Sequence, residues 1–163
     1  MTRFKLVVAV MMMLLSSISY AEKLVVPPAN IVKFAKKFAY NDFPQAIDII
    51  SIIRVESNFN PKAFNPETNK KDKKRRVPPS IGLMQVQAGS FDVYTNMKQG
   101  SERLREYFVK QCKRSIECAV KSYNIGPTNF KRGKYPVSAK EYWDKFNLRK
   151  SQYLTYNKTA DIF

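Results

Sequence analysis

Gln45-Ala46-Ile47-Asp48-Ile49-Ile50-Ser51-Ile52-Ile53-Arg54-Val55-Glu56-Ser57 is the stretch on which the fold turns. At about 100° per residue, Ile49, Ile52, Ile53 and Glu56 fall at i, i+3, i+4 and i+7. They form one stripe, so Gln45 to about Ser57 reads as a helix whose apolar face ends on a carboxylate. Asn41-Asp42-Phe43-Pro44 ahead of it reads as a break and a helix start, since Asp caps well and Pro is tolerated in the first turn. A carboxyl group at the end of an apolar face loses hydration, which disfavours its charged form and raises its pKa. That is the property of a general acid working near neutral pH. The plainer alternative is a helix-terminal Glu that turns to solvent or pairs with one of many Lys and Arg side chains. Spacing alone does not separate the two.

Working outward, the pattern is helical and broken by polar loops, with no internal repeat and no Gly/Ser linker. Asn30 to Tyr40 reads as a short basic amphipathic helix with Ile31, Phe34, Ala35 and Phe38 on one face. Asn58 to Pro79 is loop-like, with Pro61, Pro66, Pro78 and Pro79 and the run Lys70-Lys71-Asp72-Lys73-Lys74-Arg75-Arg76. Such a run reads first as a solvated loop; the sharper reading is a contact for anionic wall or a partner protein. Ser80 to Val86 is a compact apolar segment, and Leu83 to Gln87 is the one place where a strand is suggested. Ser90 to Asn96, Ser101 to Gln111 and Glu117 to Tyr123 read as helices. Tyr142 to Phe146 reads as a last aromatic helix, with a polar, loose tail after Arg149.

The N-terminus bears on the compartment. Arg3 and Lys5 precede an apolar run from Leu6 to Leu15, and Ser19-Tyr20-Ala21 puts small residues at −3 and −1 of a cleavage site. That order is a secretory signal peptide, which divides the chain into a leader, 1–21, and one domain, 22–163. The run is shorter than the roughly 20 apolar residues that span a bilayer, and no Cys follows it to take a lipid. The expected location is therefore periplasmic or secreted, with no stable membrane anchor after cleavage. The chain has 29 Lys+Arg against 13 Asp+Glu, and without the leader it keeps 27 cations and a net charge of +14. So basic a surface concentrates near polyanions; for an exported protein these are the anionic stem peptides and polymers of an envelope, and no nucleic acid is expected. Cys112 and Cys118 are the two cysteines, and an isolated pair in an oxidising compartment reads as a disulfide rather than a metal site or nucleophile. There is no His, which excludes Ser-His-Asp and Cys-His catalysis and nearly all catalytic zinc chemistry.

Three blocks then alter the balance at Glu56. They are Glu56-Ser57-Asn58-Phe59-Asn60-Pro61-Lys62-Ala63, Ser80-Ile81-Gly82-Leu83-Met84-Gln85-Val86, and Ala119-Val120-Lys121-Ser122-Tyr123-Asn124-Ile125-Gly126-Pro127. In this order they resemble the soluble lytic transglycosylase (SLT) family of the lysozyme superfamily, whose pattern runs E-S-x-F-x-P-x-A, G-L-M-Q, A-Y-N-x-G. Asn96 and Gly100, leading to Leu104 and Tyr107-Phe108, form a fourth, looser match. The resemblance covers roughly Phe38 to Phe146. It implies a mainly α, single lysozyme-like helical domain, with a small β or loop segment around residues 58–87.

The resemblance also implies roles. Glu56 protonates the glycosidic oxygen of peptidoglycan and then acts as base. Gly82, Met84 and Gln85 line the groove, Tyr123 sets its hydroxyl close to Glu56, and Asn124 supports that segment. Plain readings stand beside these: Leu83, Met84 and Phe59 as core, Gly82 and Gly126 as turn residues, and Ser57 either as a helix-end polar residue or as a holder of the Glu56 carboxyl. Three positions depart from the family pattern. Asn65 stands where Ser is common, Ser80 where Gly is usual, and Ser122 where Ala is usual; the basic loop also lengthens the gap from Glu56 to Gln85. Most glycosidases use two carboxyl groups, yet Asp48, Glu67 and Asp72, the acids near Glu56 in sequence, match no motif position. One acid fits the transglycosylase scheme, in which the muramic N-acetyl group assists and a 1,6-anhydro ring closes without cofactor or metal. The expected partners are peptidoglycan glycan strands and an envelope-spanning secretion, conjugation or pilus machine. The competing readings are a hydrolysing lysozyme of the same fold, a non-catalytic wall-binding subunit and a general polyanion binder.

Overall fold

Isoleucine sets the centre of the molecule. In a computed structural model, which describes residues 24–66, 78–126, 129, 130, 132 and 136–161, the central helix buries Ile47, Ile49, Ile50, Ile52 and Ile53 together with Asp48 and Ser51. Residues 1–21, read as a leader, the run 70–76 with Asp72, and Glu67 lie outside the described residues.

In chain order the elements are α1 (Ala29–Phe38), α2 (Ala46–Glu56), β1 (Phe64–Asn65), β2 (Ser80–Ile81), β3 (Val86–Gln87), α3 (Val93–Glu106), α4 (Ile116–Ile125) and α5 (Val137–Ala160). The protein is mainly α with a small antiparallel sheet in the order β1-β2-β3, as a lysozyme-like fold requires. The β segment falls inside 58–87.

A helix apolar on nearly every side must be enclosed, and α2 is. Helix α5 packs most heavily on it, with α1 against another side. The single stripe read from spacing therefore understated its burial, because Ile47 and Ile50 lie off that stripe and are buried too. Its two buried polar residues are matched. Ser51 Oγ donates to the Ile47 carbonyl at 2.6 Å, and Asp48 Oδ1 meets Lys150 Nζ of α5 at 2.7 Å.

Four boundaries differ from the sequence reading. Helix α2 starts at Ala46, one residue inside the expected Gln45, and Asp42 is not its cap: the cap is a reciprocal box in which the side chains of Gln45 and Asp48 each accept the other residue's backbone N–H, with Gln45 N–H on Asp48 Oδ2 at 2.9 Å. Asp42 instead bonds Arg105 and Arg114. The segments 90–96 and 101–111 are not two helices. They join as α3, which winds into a π turn, Tyr107–Gln111, closed by Cys112 N–H on the Tyr107 carbonyl at 2.9 Å. Gly100, at the join, serves close packing: a Cβ there would lie 2.5 Å from Met84 Sδ and 2.7 Å from Met84 Cβ. Helix α4 extends two residues beyond Tyr123. The tail after Arg149 is not loose; α5 runs to Ala160, with Tyr153 fully buried and its hydroxyl donating to the Val25 carbonyl at 2.9 Å.

Cys112 and Cys118 are bonded, with Cα atoms 5.5 Å apart. The bridge ties the end of the π turn to the first turn of α4. No helix among the described residues is long and apolar enough to cross a membrane.

Candidate active site

Glu56 is the last residue of α2, and the chain bends away immediately after it. Asn58 and Phe59 both adopt positive φ, 52° and 65°, conformations that cost non-glycine residues energy and that gather at functional sites. The bend carries the chain into β1 and leaves the Glu56 side chain at the floor of a cleft of about 540 Å³. The cleft is lined by Asn65, Ser80, Gln85, Gln87, Arg103, Tyr107, Tyr123, Asn124 and residues 125, 126 and 129. Glu56 is the one carboxylate lining it among the described residues.

Burial governs the Glu56 carboxyl. Part of the residue stays open to the cleft, but the protein atoms packed around the carboxyl strip its hydration and push its pKa up to about 7. Tyr142 of α5 opposes this in part: its hydroxyl donates to Glu56 Oε1 at 2.5 Å and favours the ionised form. The result is a carboxyl that can both give and take a proton near neutrality.

The sheet forms one wall. Its register pairs Asn65 with Ser80 and Ser80 with Gln87, so these three polar side chains make one transverse row, and all three line the cleft. The adjacent row is Phe64, Ile81 and Val86. Two of the departures from the family pattern, Asn65 and Ser80, are thus neighbours facing the cleft. Ser80 sits in extended strand, so its side chain is accommodated without a glycine turn.

The loop between β2 and β3 is tightly held. Gly82 has φ +77°, and a Cβ there would meet Asn96 Nδ2 at 2.4 Å. Asn96 is the hub of this loop: its Nδ2 donates to the Ile81 and Ser90 carbonyls, both at 2.9 Å, and its Oδ1 accepts Met84 N–H at 2.8 Å. Gln85, at φ 47°, is anchored by Nε2 bonds to the Gly82 carbonyl at 2.9 Å and the Ala63 carbonyl at 3.2 Å. It lines the cleft.

Other expected site residues fall in different places. Met84 is fully buried, so it cannot line the groove with its side chain; it packs against Gly100 and accepts, through its carbonyl, the Tyr123 hydroxyl at 2.8 Å. Gly82 likewise shapes the loop from behind the cleft wall. Ser57 gives its hydroxyl to the Ile53 carbonyl at 3.2 Å, so it closes the helix and does not hold the Glu56 carboxyl. Tyr123 and Asn124 both line the cleft. The Tyr123 hydroxyl is bonded to Met84 rather than to Glu56, though the nearby Glu56 charge adds to the burial that raises its pKa well above the usual tyrosine range.

Tyr142, Arg103, Tyr107 and Gln87 are site residues that the sequence reading does not name as such, although Tyr107 falls in the fourth motif match and Gln87 ends the suggested strand. Tyr142 stands 86 residues from Glu56, and only its place in an aromatic helix was visible.

A small helical domain with one desolvated acid at the floor of a polar, open cleft is the class of a lysozyme-like glycan-binding domain. The family model described as "Transglycosylase SLT domain" matches residues 34–146, and the chain belongs to that family. Domains of this family are typically lytic transglycosylases and act on the peptidoglycan of the cell wall. No curated protein and no solved structure matches the chain.

Proposed function

We propose that this chain is an exported peptidoglycan lytic transglycosylase that cleaves the β-1,4 bond between MurNAc and GlcNAc, with Glu56 as its acid and base. One observation carries the proposal: a carboxyl with pKa about 7 on the floor of the polar cleft. Among the described residues no second carboxylate lines that cleft, which supports a scheme in which the substrate supplies the second group.

Protonated Glu56 gives its proton to the glycosidic oxygen, and the C1–O bond breaks with the GlcNAc hydroxyl leaving. The N-acetyl carbonyl oxygen of MurNAc takes up the electron deficiency at C1. Ionised Glu56 then removes the proton of the MurNAc C6 hydroxyl as that oxygen attacks C1. The 1,6-anhydro ring closes, and Glu56 is again protonated. No water enters the products. Gln85, Tyr123 and Asn124 bind sugar along the cleft wall, and Tyr142 holds the Glu56 carboxyl in place.

Mass spectrometry of digested glycan strands tests the reaction. Anhydro-MurNAc ends are expected; reducing MurNAc ends would make the protein a hydrolysing lysozyme. Glu56→Gln abolishes cleavage on this reading, and an active variant would remove Glu56 from the mechanism. The basic balance of the chain and the leader read at 1–21 support service at the envelope. We extend the proposal to local wall opening for a secretion, conjugation or pilus machine, which gene deletion followed by an assembly assay tests.

A further inference from the structure

Arg103 is the one cation lining the Glu56 cleft among the described residues. It also lines the adjoining hollow with Val86, Gln87, Gln99, Glu102 and Glu106, so it stands where the two spaces meet. Nothing described occupies its charge. The nearest acids on its own helix are engaged elsewhere: Glu102 faces Lys98 at 4.0 Å and Glu106 faces Lys110 at 3.5 Å. Its charge acts on the hydroxyls of Tyr107, one turn further along the same helical stretch, and of Tyr123. A guanidinium that is half-buried in the cleft wall and has no protein acceptor among the described residues keeps its donors available to a ligand. Its planar fork suits a carboxylate, which it can bind through two parallel hydrogen bonds.

The glycan backbone itself is neutral. Its charge hangs on the lactyl arm of the muramic residue, either as the free lactyl carboxylate or as the carboxylates of an attached stem peptide. We propose that Arg103 is a specificity-determining residue that receives a carboxylate carried on that arm, and so selects muramic-containing strands over neutral GlcNAc polymers. The inference rests on the peptidoglycan reading of the cleft. It adds that the substrate is chosen by charge at one position, by a residue other than the proton-transfer group.

Binding separates this from the reaction. In the Glu56→Gln chain, which cannot turn substrate over on the reading above, three probes are compared by calorimetry: strands bearing stem peptides, the same strands after amidase treatment, and the neutral GlcNAc tetramer. Adding Arg103→Gln is expected to weaken binding of the anionic probes about tenfold or more and to leave the tetramer within about twofold. Loss on peptide-bearing strands alone assigns the carboxylate to the peptide; loss on stripped strands assigns it to the lactyl group. Equal weakening of all three probes, or none on either anionic probe, overturns the proposal. If Arg103→Gln unfolds, Arg103→Met, which keeps the length of the stem, is put through the same comparison. Failure of the wild-type chain to cleave any strand would overturn the transglycosylase reading and leave the binding result standing.

Discussion

Glu56 gives up its proton only near pH 7 because its carboxyl has lost water and gained one hydrogen bond in return. Two predictions belong at this scale. The group is active as an acid only while protonated, so kcat/KM should fall as pH rises through about 7; Tyr142→Phe removes the bond that favours the ionised form, and should carry that alkaline limb upward by about one unit. A pH–rate profile of both chains checks this, and an unmoved limb would show that Tyr142 does not act on Glu56. Stability has its own sign. An ordinary carboxyl titrates near 4.5 and the folded one near 7, so within that window the unfolded chain has released a proton that the folded chain keeps. Stability falls as pH rises across it. Glu56→Gln, which cannot ionise, should therefore be more stable than wild type above pH 7 by roughly 1–3 kcal/mol, with little difference at pH 4. Thermal denaturation at the two pH values reads this directly, and an equal gain at both would argue against it.

At the scale of elements, the cleft wall is held by packing between α3 and the loop joining β2 to β3. Asn96 and Gly100 lie one turn apart on α3, the first bonding the loop and the second admitting Met84 against the helix backbone. An alanine in a helix interior normally stabilises by about 1 kcal/mol relative to glycine. Here Gly100→Ala should instead destabilise by roughly 1–3 kcal/mol, because the new methyl overlaps Met84 Cβ as well as its flexible sulfur. Denaturant unfolding measures the change, and a stabilised variant would show that the helix and loop separate easily. The use of Gly100 is visible only when Met84 is set beside it, and the two are far apart in sequence, so a helix running from 93 through 106 was read as two pieces. Gly82 and Gly126 were legible as turn residues, since their positive φ of 77° and 78° is a local property.

Across the whole molecule, α2 and α5 are locked by the Asp48–Lys150 pair, in which Asp48 is 1% exposed and Lys150 27%. Such a pair adds little net stability over well-packed apolar residues, but removing one member strands a buried charge. Lys150→Met should therefore destabilise by roughly 3–5 kcal/mol, and Asp48→Asn added to it should recover much of that loss. A double-mutant cycle by chemical denaturation checks both; additive losses would show the two residues to be uncoupled. The clamp bears on function, because α5 also brings Tyr142 to Glu56.

The sequence by itself determined that the protein is mainly helical, that Gln45 to Ser57 forms its central helix, and that Glu56 stands at that helix's inner end. These follow from local periodicity and from motifs whose residues lie close along the chain, and the family to which the chain belongs followed from the same motifs. The tertiary structure decided the rest. Desolvation of Glu56 depends on what α5 and the sheet place around it, and neither can be read from a stripe of isoleucines. The Tyr142 bond, the open position of Arg103 and the polar row of Asn65, Ser80 and Gln87 join residues far apart in sequence. Of the two readings of Met84, groove by resemblance and core by residue type, its full burial bears out the second, because a short motif records which residues occur together and not which way each one faces.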